Sequence, residues 1–368
     1  MDEAAVRVER QAPYKMAVAV AVATGLVAVI CALSLGLPLR DPDGFLGPTY
    51  VRLPVIAALM LACDVVPRAL ARTRSLRGAS REIFLVARQR WPWRRLRPAL
   101  IGLAAFYGTY VSYRNLKHYL PLLRPDLVDD ELRAIDEAMT GGVPPAQLLH
   151  DLLGTGITAH VLSWVYLAFL LFVPASLGLA LAWKGLSREA SWYVTALCLN
   201  WSLGTASYYM LPSMGPVYAE PGVFSGLPET GTWDLQMSLL ESRSLVITDP
   251  EATNRVQSIA AFASLHVSIV LTAALIAQLV LSSVAVRAAL WTFFGLTAIA
   301  TIYFGWHYIV DDIAGVAIAV ASVLIAGWGT GQFRRSAATE DAAEESPGWG
   351  SQAAARMRRR AQASPSAS

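Results

Sequence analysis

Residues 159–183 read AHVLSWVYLAFLLFVPASLGLALAW, a run without a single Asp, Glu, Lys or Arg. About 20 mostly apolar helical residues cross the hydrocarbon core of a membrane, so this stretch is long enough on its own. Backbone polar groups in lipid have no water to bond, and a helix satisfies them within the segment. The stretches 16–38, 51–70, 98–120, 190–211, 259–285, 288–306 and 309–328 read the same way, which makes about eight in all. A transmembrane barrel would show short alternating segments instead of continuous runs. The expected fold is all-α: a polytopic transmembrane helical bundle.

Composition agrees. Hydrophobic residues make up 55% of the chain and charged residues 15%, too apolar for an ordinary soluble domain. A net charge of +3 gives no reason to expect a nucleic-acid partner. The run 16–38 is longer than the apolar core of a signal peptide, and Leu37-Pro38-Leu39-Arg40 is a poor cleavage site, so it reads as a retained helix. Cys31, Cys63 and Cys198 all fall inside spans and read as small buried hydrophobes, not as a disulfide or metal site.

Charge sets the expected orientation, because Lys and Arg collect on the cytoplasmic side. With the N-terminus inside, the segments 68–97, 184–188 and 286–287 and the tail from 329 are inside too, and about 22 of the 30 basic residues face the cytoplasm. Segment 68–97 holds ten of these arginines together with Ile83, Phe84, Trp91 and Trp93. It reads either as a loop obeying the charge rule or as an amphipathic segment on an anionic inner leaflet. The outer loop 212–258 is acidic, with Glu220, Glu229, Asp234, Glu241, Asp249 and Glu251 against Arg243 and Arg255. The expected division is two helices and an Arg-rich segment over 1–97, a membrane catalytic domain over 98–328, and a disordered cytoplasmic tail over 329–368. No internal repeat argues for a transporter.

This orientation does not draw on the five histidines, yet it puts His266 and His307 at one depth on the outer face, on helices adjacent in sequence. Ionisable groups near a span are costly and usually functional. The text after His307 is Tyr308-Ile309-Val310-Asp311-Asp312. If a helix begins here, His307 and Asp311 share a face at i and i+4, while Asp312 is turned about 100° away. A carboxylate on one ring nitrogen makes the other a better nucleophile; two acids at a positive helix end are the plainer explanation, and it suits Asp312. The second element is Ser264-Leu265-His266, in which a hydroxyl can bind a phosphate oxygen and an imidazole can protonate a leaving alkoxide. Taken alone, Ser264 is more readily a helix cap.

Ser-x-His followed by His-x-x-x-Asp resembles the type 2 phosphatidic acid phosphatase superfamily, and more narrowly its inositol phosphorylceramide synthase branch. Tyr113-Arg114-Asn115-Leu116-Lys117, the spaced Asp129, Leu132 and Asp136, and Leu211-Pro212-Ser213-Met214-Gly215-Pro216 are similar to segments of that branch. The resemblance covers roughly 105–328. It implies that His307 attacks phosphorus to form a phosphohistidine, that Asp311 orients it, that His266 is the general acid and that Ser264 binds the phosphate, with no metal or other cofactor. Two histidines and a carboxylate can also hold zinc, although the His-to-Asp spacing suits an oriented imidazole equally.

Two departures stand out. The superfamily's phosphatases carry an arginine six residues before the second histidine, where this chain has Thr301. Their Lys-x6-Arg-Pro element is matched only by Lys117 and Arg124-Pro125, far upstream. A phosphoryl transition state needs cations; those on the expected side are Lys117, Arg255, Arg114 and, ranked last, Arg243. The implied activity is a metal-independent phosphotransferase in the cell membrane, with both termini cytoplasmic. Its substrate is a phospholipid or polyprenyl phosphate, its acceptor an alcohol, and the branch suggests an inositol-phosphate-like head group. A lipid phosphatase using water and a non-enzymatic lipid transporter or scaffold are the rivals.

Overall fold

The computed structural model describes residues 14–41, 49–73, 79–182, 187–251, 256 and 258–333. Among the described residues all regular structure is helical. The membrane-scale helices are α1 (Lys15–Leu35), α2 (Thr49–Thr73), then after a short α3 (Ala79–Arg90) the long α4 (Trp93–Leu123). Two short helices, α5 (Asp129–Met139) and α6 (Pro145–Leu153), lead to α7 (Ile157–Ala182) and α8 (Ser187–Met210). Then come α9 (Pro216–Ala219), α10 (Pro221–Phe224) and α11 (Gly231–Thr248), followed by α12 (Leu265–Val280), α13 (Val284–Tyr303) and α14 (Ile309–Gly329). Of the tail expected over 329–368, residues 334–368 lie outside the described residues.

Among the described residues five helices are long and apolar enough to cross a membrane: α1, the Pro54–Thr73 part of α2, α7, α13 and α14. This is a multi-pass membrane protein. The other three apolar stretches, expected as spans, form helices of a different character. Helix α12 has only 16 residues, roughly 24 Å at 1.5 Å per residue. Helix α4 carries Arg94, Arg95, Arg97, Arg114 and Lys117, and α8 carries Asn200 among a series of Ser and Thr residues.

These three helices fill the interior. Helix α8 is buried continuously from Ala190 to Asn200 and packs against α1, α4, α7, α12 and α14. A helix covered on all sides needs no single apolar stripe, but its polar groups need partners. Asn200 donates to the Thr272 hydroxyl at 3.0 Å and accepts from Ser268, and Thr24 meets Ser202 at 2.7 Å. Cys198 is buried, as expected, whereas Cys63 faces outward from α2, where lipid replaces protein as the apolar solvent.

The Arg-rich segment has a fold of its own. Buried Asp64 on α2 accepts from Arg68 at 2.6 Å, from Arg90 at 2.8 Å and from the Trp91 indole at 2.9 Å, which pins α3 back onto α2. Arg95 stacks on Trp91 at 4.2 Å and bonds the Ala182 carbonyl. Arg95 and Lys117 lie about 33 Å apart along α4, so this cluster and the histidines occupy opposite ends of the bundle. At the histidine end the expected loop 212–258 contains the 18-residue α11. Its buried face, with Thr232, Gln236 and Arg243, lies against α4 and α7.

Candidate active site

Helix α12 begins at Leu265 because Ser264 caps it, its hydroxyl accepting from the Val267 N–H at 3.5 Å. The strand of chain before it is held from the Pro/Gly-rich segment. Ala261 N–H donates to the Ser213 carbonyl at 3.0 Å, Phe262 N–H to the Ser213 hydroxyl at 3.0 Å, and Ala263 N–H to the Ser207 hydroxyl at 2.9 Å. His266 therefore sits in the first turn of α12, with its ring stacked on Tyr166 at 4.5 Å and against Phe169 at 4.1 Å. Tyr166 in turn stacks on Trp306 at 5.1 Å, almost parallel. These aromatics of α7 were not among the residues picked from sequence, since i and i+3 aromatics within an apolar span look like ordinary packing.

His307 lies in the turn between α13 and α14 and is 5% exposed. The turn is closed by the Thr301 carbonyl, which accepts from Trp306 N–H at 2.9 Å and from His307 N–H at 3.4 Å. Helix α14 then starts with Tyr308, whose N–H donates to the Asp311 carboxylate at 2.9 Å. The same Asp311 oxygen is 3.4 Å from His307 Nδ1. The other acid, Asp312, accepts from the Thr301 hydroxyl at 3.0 Å. The two imidazole centres are 6.2 Å apart. Burial holds the His307 imidazole well below the ordinary histidine range, at about 4, although Asp312 and the Ala261 carbonyl favour its charged form.

The structure thus brings together His266, His307, Asp311 and Ser264, with the Ser264 hydroxyl beside Asp312. Lys117 joins them: its charge acts on both imidazoles, and its ammonium lies 5.4 Å over the Tyr208 ring. Arg114 is engaged elsewhere, donating to the Val256 carbonyl at 3.0 and 2.5 Å and to the Tyr110 hydroxyl at 3.1 Å. Arg255 lies outside the described residues. Arg243 is buried on the inner face of α11, where the charge that acts on it is that of Asp129. His150 is structural, its Nε2 2.8 Å from the Tyr303 carbonyl.

A small cleft reaches His307 and Tyr308, lined by Arg133, Glu137 and Glu220 among others; His266, Ser264 and Lys117 do not line it. Two imidazoles across a gap, a hydroxyl and a lysine without an ion-pair partner among the described residues are groups of the kind that phosphoryl transfer uses. The model of the PAP2 superfamily matches residues 130–325, more than half of the chain. The chain belongs to the PAP2 superfamily. No curated protein and no solved structure matches it. Membership makes it a membrane protein of the lipid phosphatase and phosphotransferase type. The matched region holds every residue of the assembled site except Lys117, which α4 contributes from upstream.

Proposed function

We propose that this PAP2 superfamily protein is an integral membrane phosphotransferase that acts on a lipid-linked phosphate through a phosphohistidine on His307. The observation that carries the reading is the 6.2 Å separation of the His266 and His307 rings with the Asp311 carboxylate 3.4 Å from Nδ1 of His307. One phosphate fits between two rings at that spacing, within reach of both.

In the proposed reaction the phosphate of a phospholipid or polyprenyl phosphate sits among His307, Ser264 and Lys117. With Nδ1 of His307 facing Asp311, the lone pair of Nε2 attacks phosphorus. The bond from phosphorus to the lipid oxygen breaks, and His266 protonates the departing alkoxide. An acceptor hydroxyl then attacks the phosphohistidine, its proton passes to His266, and His307 leaves as a neutral ring. The cycle balances without a metal, and among the described residues no three His, Cys, Asp or Glu side chains converge as ligands for one.

The likeness to the inositol phosphorylceramide synthase branch supports transfer of a phospho-polyol head group between lipids. Thr301 supports it too, standing where the superfamily's phosphatases carry an arginine. The aromatic wall of Tyr166, Phe169 and Trp306 limits water around His266, a condition that favours an alcohol over water as acceptor. The charge distribution supports a site on the outer face of the cell membrane with both termini cytoplasmic. The rival with water as acceptor uses the same residues.

Rapid quench of purified protein with a phosphate-labelled phospholipid tests the reading. Acid-labile label on His307, lost in His307→Ala, is expected, and a free polyol or lipid alcohol should divert product from inorganic phosphate to a new ester. Label that survives in His307→Ala, or activity abolished by EDTA, would sink the scheme.

A further inference from the structure

Three residues of α5 are buried: Asp129, Leu132 and Asp136. Their spacing of three and then four residues puts them on one helix face. A carboxylate buried on a short, otherwise acidic and exposed helix is costly without partners, and both acids have them. The Asp136 carboxylate accepts from the Ile309 N–H at 2.7 Å and the Val310 N–H at 3.2 Å. These are the first two residues of α14, whose opening N–H groups have no partner within their own helix. Asp129 accepts from the Met214 N–H at 2.9 Å, the Gly215 N–H at 2.8 Å and the Tyr308 hydroxyl at 3.1 Å.

His307 sits between these anchors. On its C-terminal side the chain is fixed through Tyr308, Ile309 and Val310. On its N-terminal side the Gly305 carbonyl accepts from the Val217 N–H at 2.9 Å. Gly215, bonded by Asp129, lies so close to the Trp306 carbonyl that a Cβ there would come within 2.5 Å of that oxygen. The chain beside the imidazole is therefore held from α5, directly by Asp136 at Ile309 and Val310 and by Asp129 at the Tyr308 hydroxyl and at Gly215. Neither carboxylate has an oxygen bonded to His307, His266 or Lys117.

We propose that Asp129 and Asp136 are positioning residues for His307: α5 clamps the turn that carries the nucleophile and fixes where the imidazole meets phosphorus. The proposal rests on the reading of His307 as nucleophile. A displaced nucleophile loses turnover more than binding, because ground-state contacts to the lipid survive while the attack geometry does not.

The test uses the full chain in lipid nanodiscs, with dioctanoyl phosphatidic acid as the probe and phosphate release as the readout. Binding of inorganic vanadate, a mimic of five-coordinate phosphorus, is followed in parallel. Asp136→Asn, which replaces one acceptor oxygen by a donor facing an N–H, is expected to lower kcat by about 10- to 100-fold, with KM within about twofold. Asp136→Glu should recover part of the loss. Tyr308→Phe removes only the hydroxyl that meets Asp129 and should shift kcat in the same direction by less. Leu132→Ala, on the same face but bonded to neither anchor, should lower Tm and leave kcat per folded molecule unchanged. The proposal is overturned if Asp136→Asn and Tyr308→Phe keep wild-type kcat while His307→Ala is inactive, or if Leu132→Ala loses as much turnover as Asp136→Asn. Wild-type protein that neither hydrolyses the probe nor binds vanadate, or His307→Ala that does both normally, would instead overturn the function proposed above, and the clamp with it.

Discussion

The Ser264 N–H donates to the Asp311 carbonyl at 3.0 Å, joining the two sequence motifs of the site through their backbones. The contact puts the start of α12 directly against the first turn of α14. It is possible because Gly315, one turn after Asp311, has no side chain: a Cβ there would come within 2.5 Å of the Ser264 carbonyl oxygen. A real Cβ does not approach backbone oxygen so closely, so the two helices would have to separate.

Gly315→Ala is therefore expected to displace His266 relative to His307 without altering any charged or hydroxyl group. Overpacking of this kind costs about 1–3 kcal/mol, and a small misplacement of reacting groups about 100-fold in rate. Turnover and Tm measured on purified protein should both fall. An alanine variant with wild-type turnover would show that the junction of α12 and α14 does not set the ring spacing.

His266 as general acid makes a prediction about leaving groups. A lipid alkoxide needs a proton as it departs, whereas p-nitrophenolate leaves unaided. His266→Ala should lower turnover of a phospholipid by at least about 100-fold and turnover of p-nitrophenyl phosphate far less. Equal losses on both substrates would point to His266 binding phosphate instead of moving a proton.

Much of this was legible in the sequence, and the reasons differ by element. Apolar runs located the membrane-scale helices because hydropathy reports burial from water whether the neighbour is lipid or protein. For the same reason it did not separate lipid-facing α7 from the enclosed α12. His266, His307 and Asp311 were visible because ionisable side chains beside apolar runs are rare. Tyr166, Phe169 and Gly315 were not, since their roles come from contacts between helices distant in sequence. Asp129 and Asp136 were noticed as spaced acids, but nothing local to α5 reveals that their partners are backbone groups of residues 214–215 and 309–310. Arg114 shows the converse case, a well-placed cation whose donors are held by Val256 and Tyr110.

The pH dependence follows from His307. As the proposed nucleophile, its imidazole has to be neutral to attack, and burial holds it at about 4 instead of the ordinary 6.5. The fraction of competent nucleophile therefore rises with pH through the region near 4 and is already complete at pH 6. The ascending limb of kcat/KM, which reports the free enzyme, should lie well below 6. Asp312 favours the charged ring, so Asp312→Asn should move that limb to still lower pH. A limb centred at 6.5 or above, or one that moves upward in Asp312→Asn, would show that the ring is more solvated than its surroundings imply.

Lys117 and Arg114, three residues apart on α4, should separate cleanly by variant. The Lys117 ammonium acts on both imidazoles and rests on the Tyr208 ring without an ion-pair partner among the described residues. A phosphate arriving there would meet a cation ready to balance its charge. Lys117→Gln is expected to weaken vanadate binding and turnover by about tenfold or more with little change in Tm. Arg114 instead ties α4 to the Val256 carbonyl and the Tyr110 hydroxyl. Hydrogen bonds from a charged group contribute about 1.5–3 kcal/mol, so Arg114→Gln should lower Tm and spare vanadate affinity in the molecules that remain folded. Vanadate titration and thermal unfolding of the two variants, side by side, decide the matter: if Arg114→Gln loses vanadate binding at unchanged Tm, Arg114 rather than Lys117 is the cation that faces the phosphate.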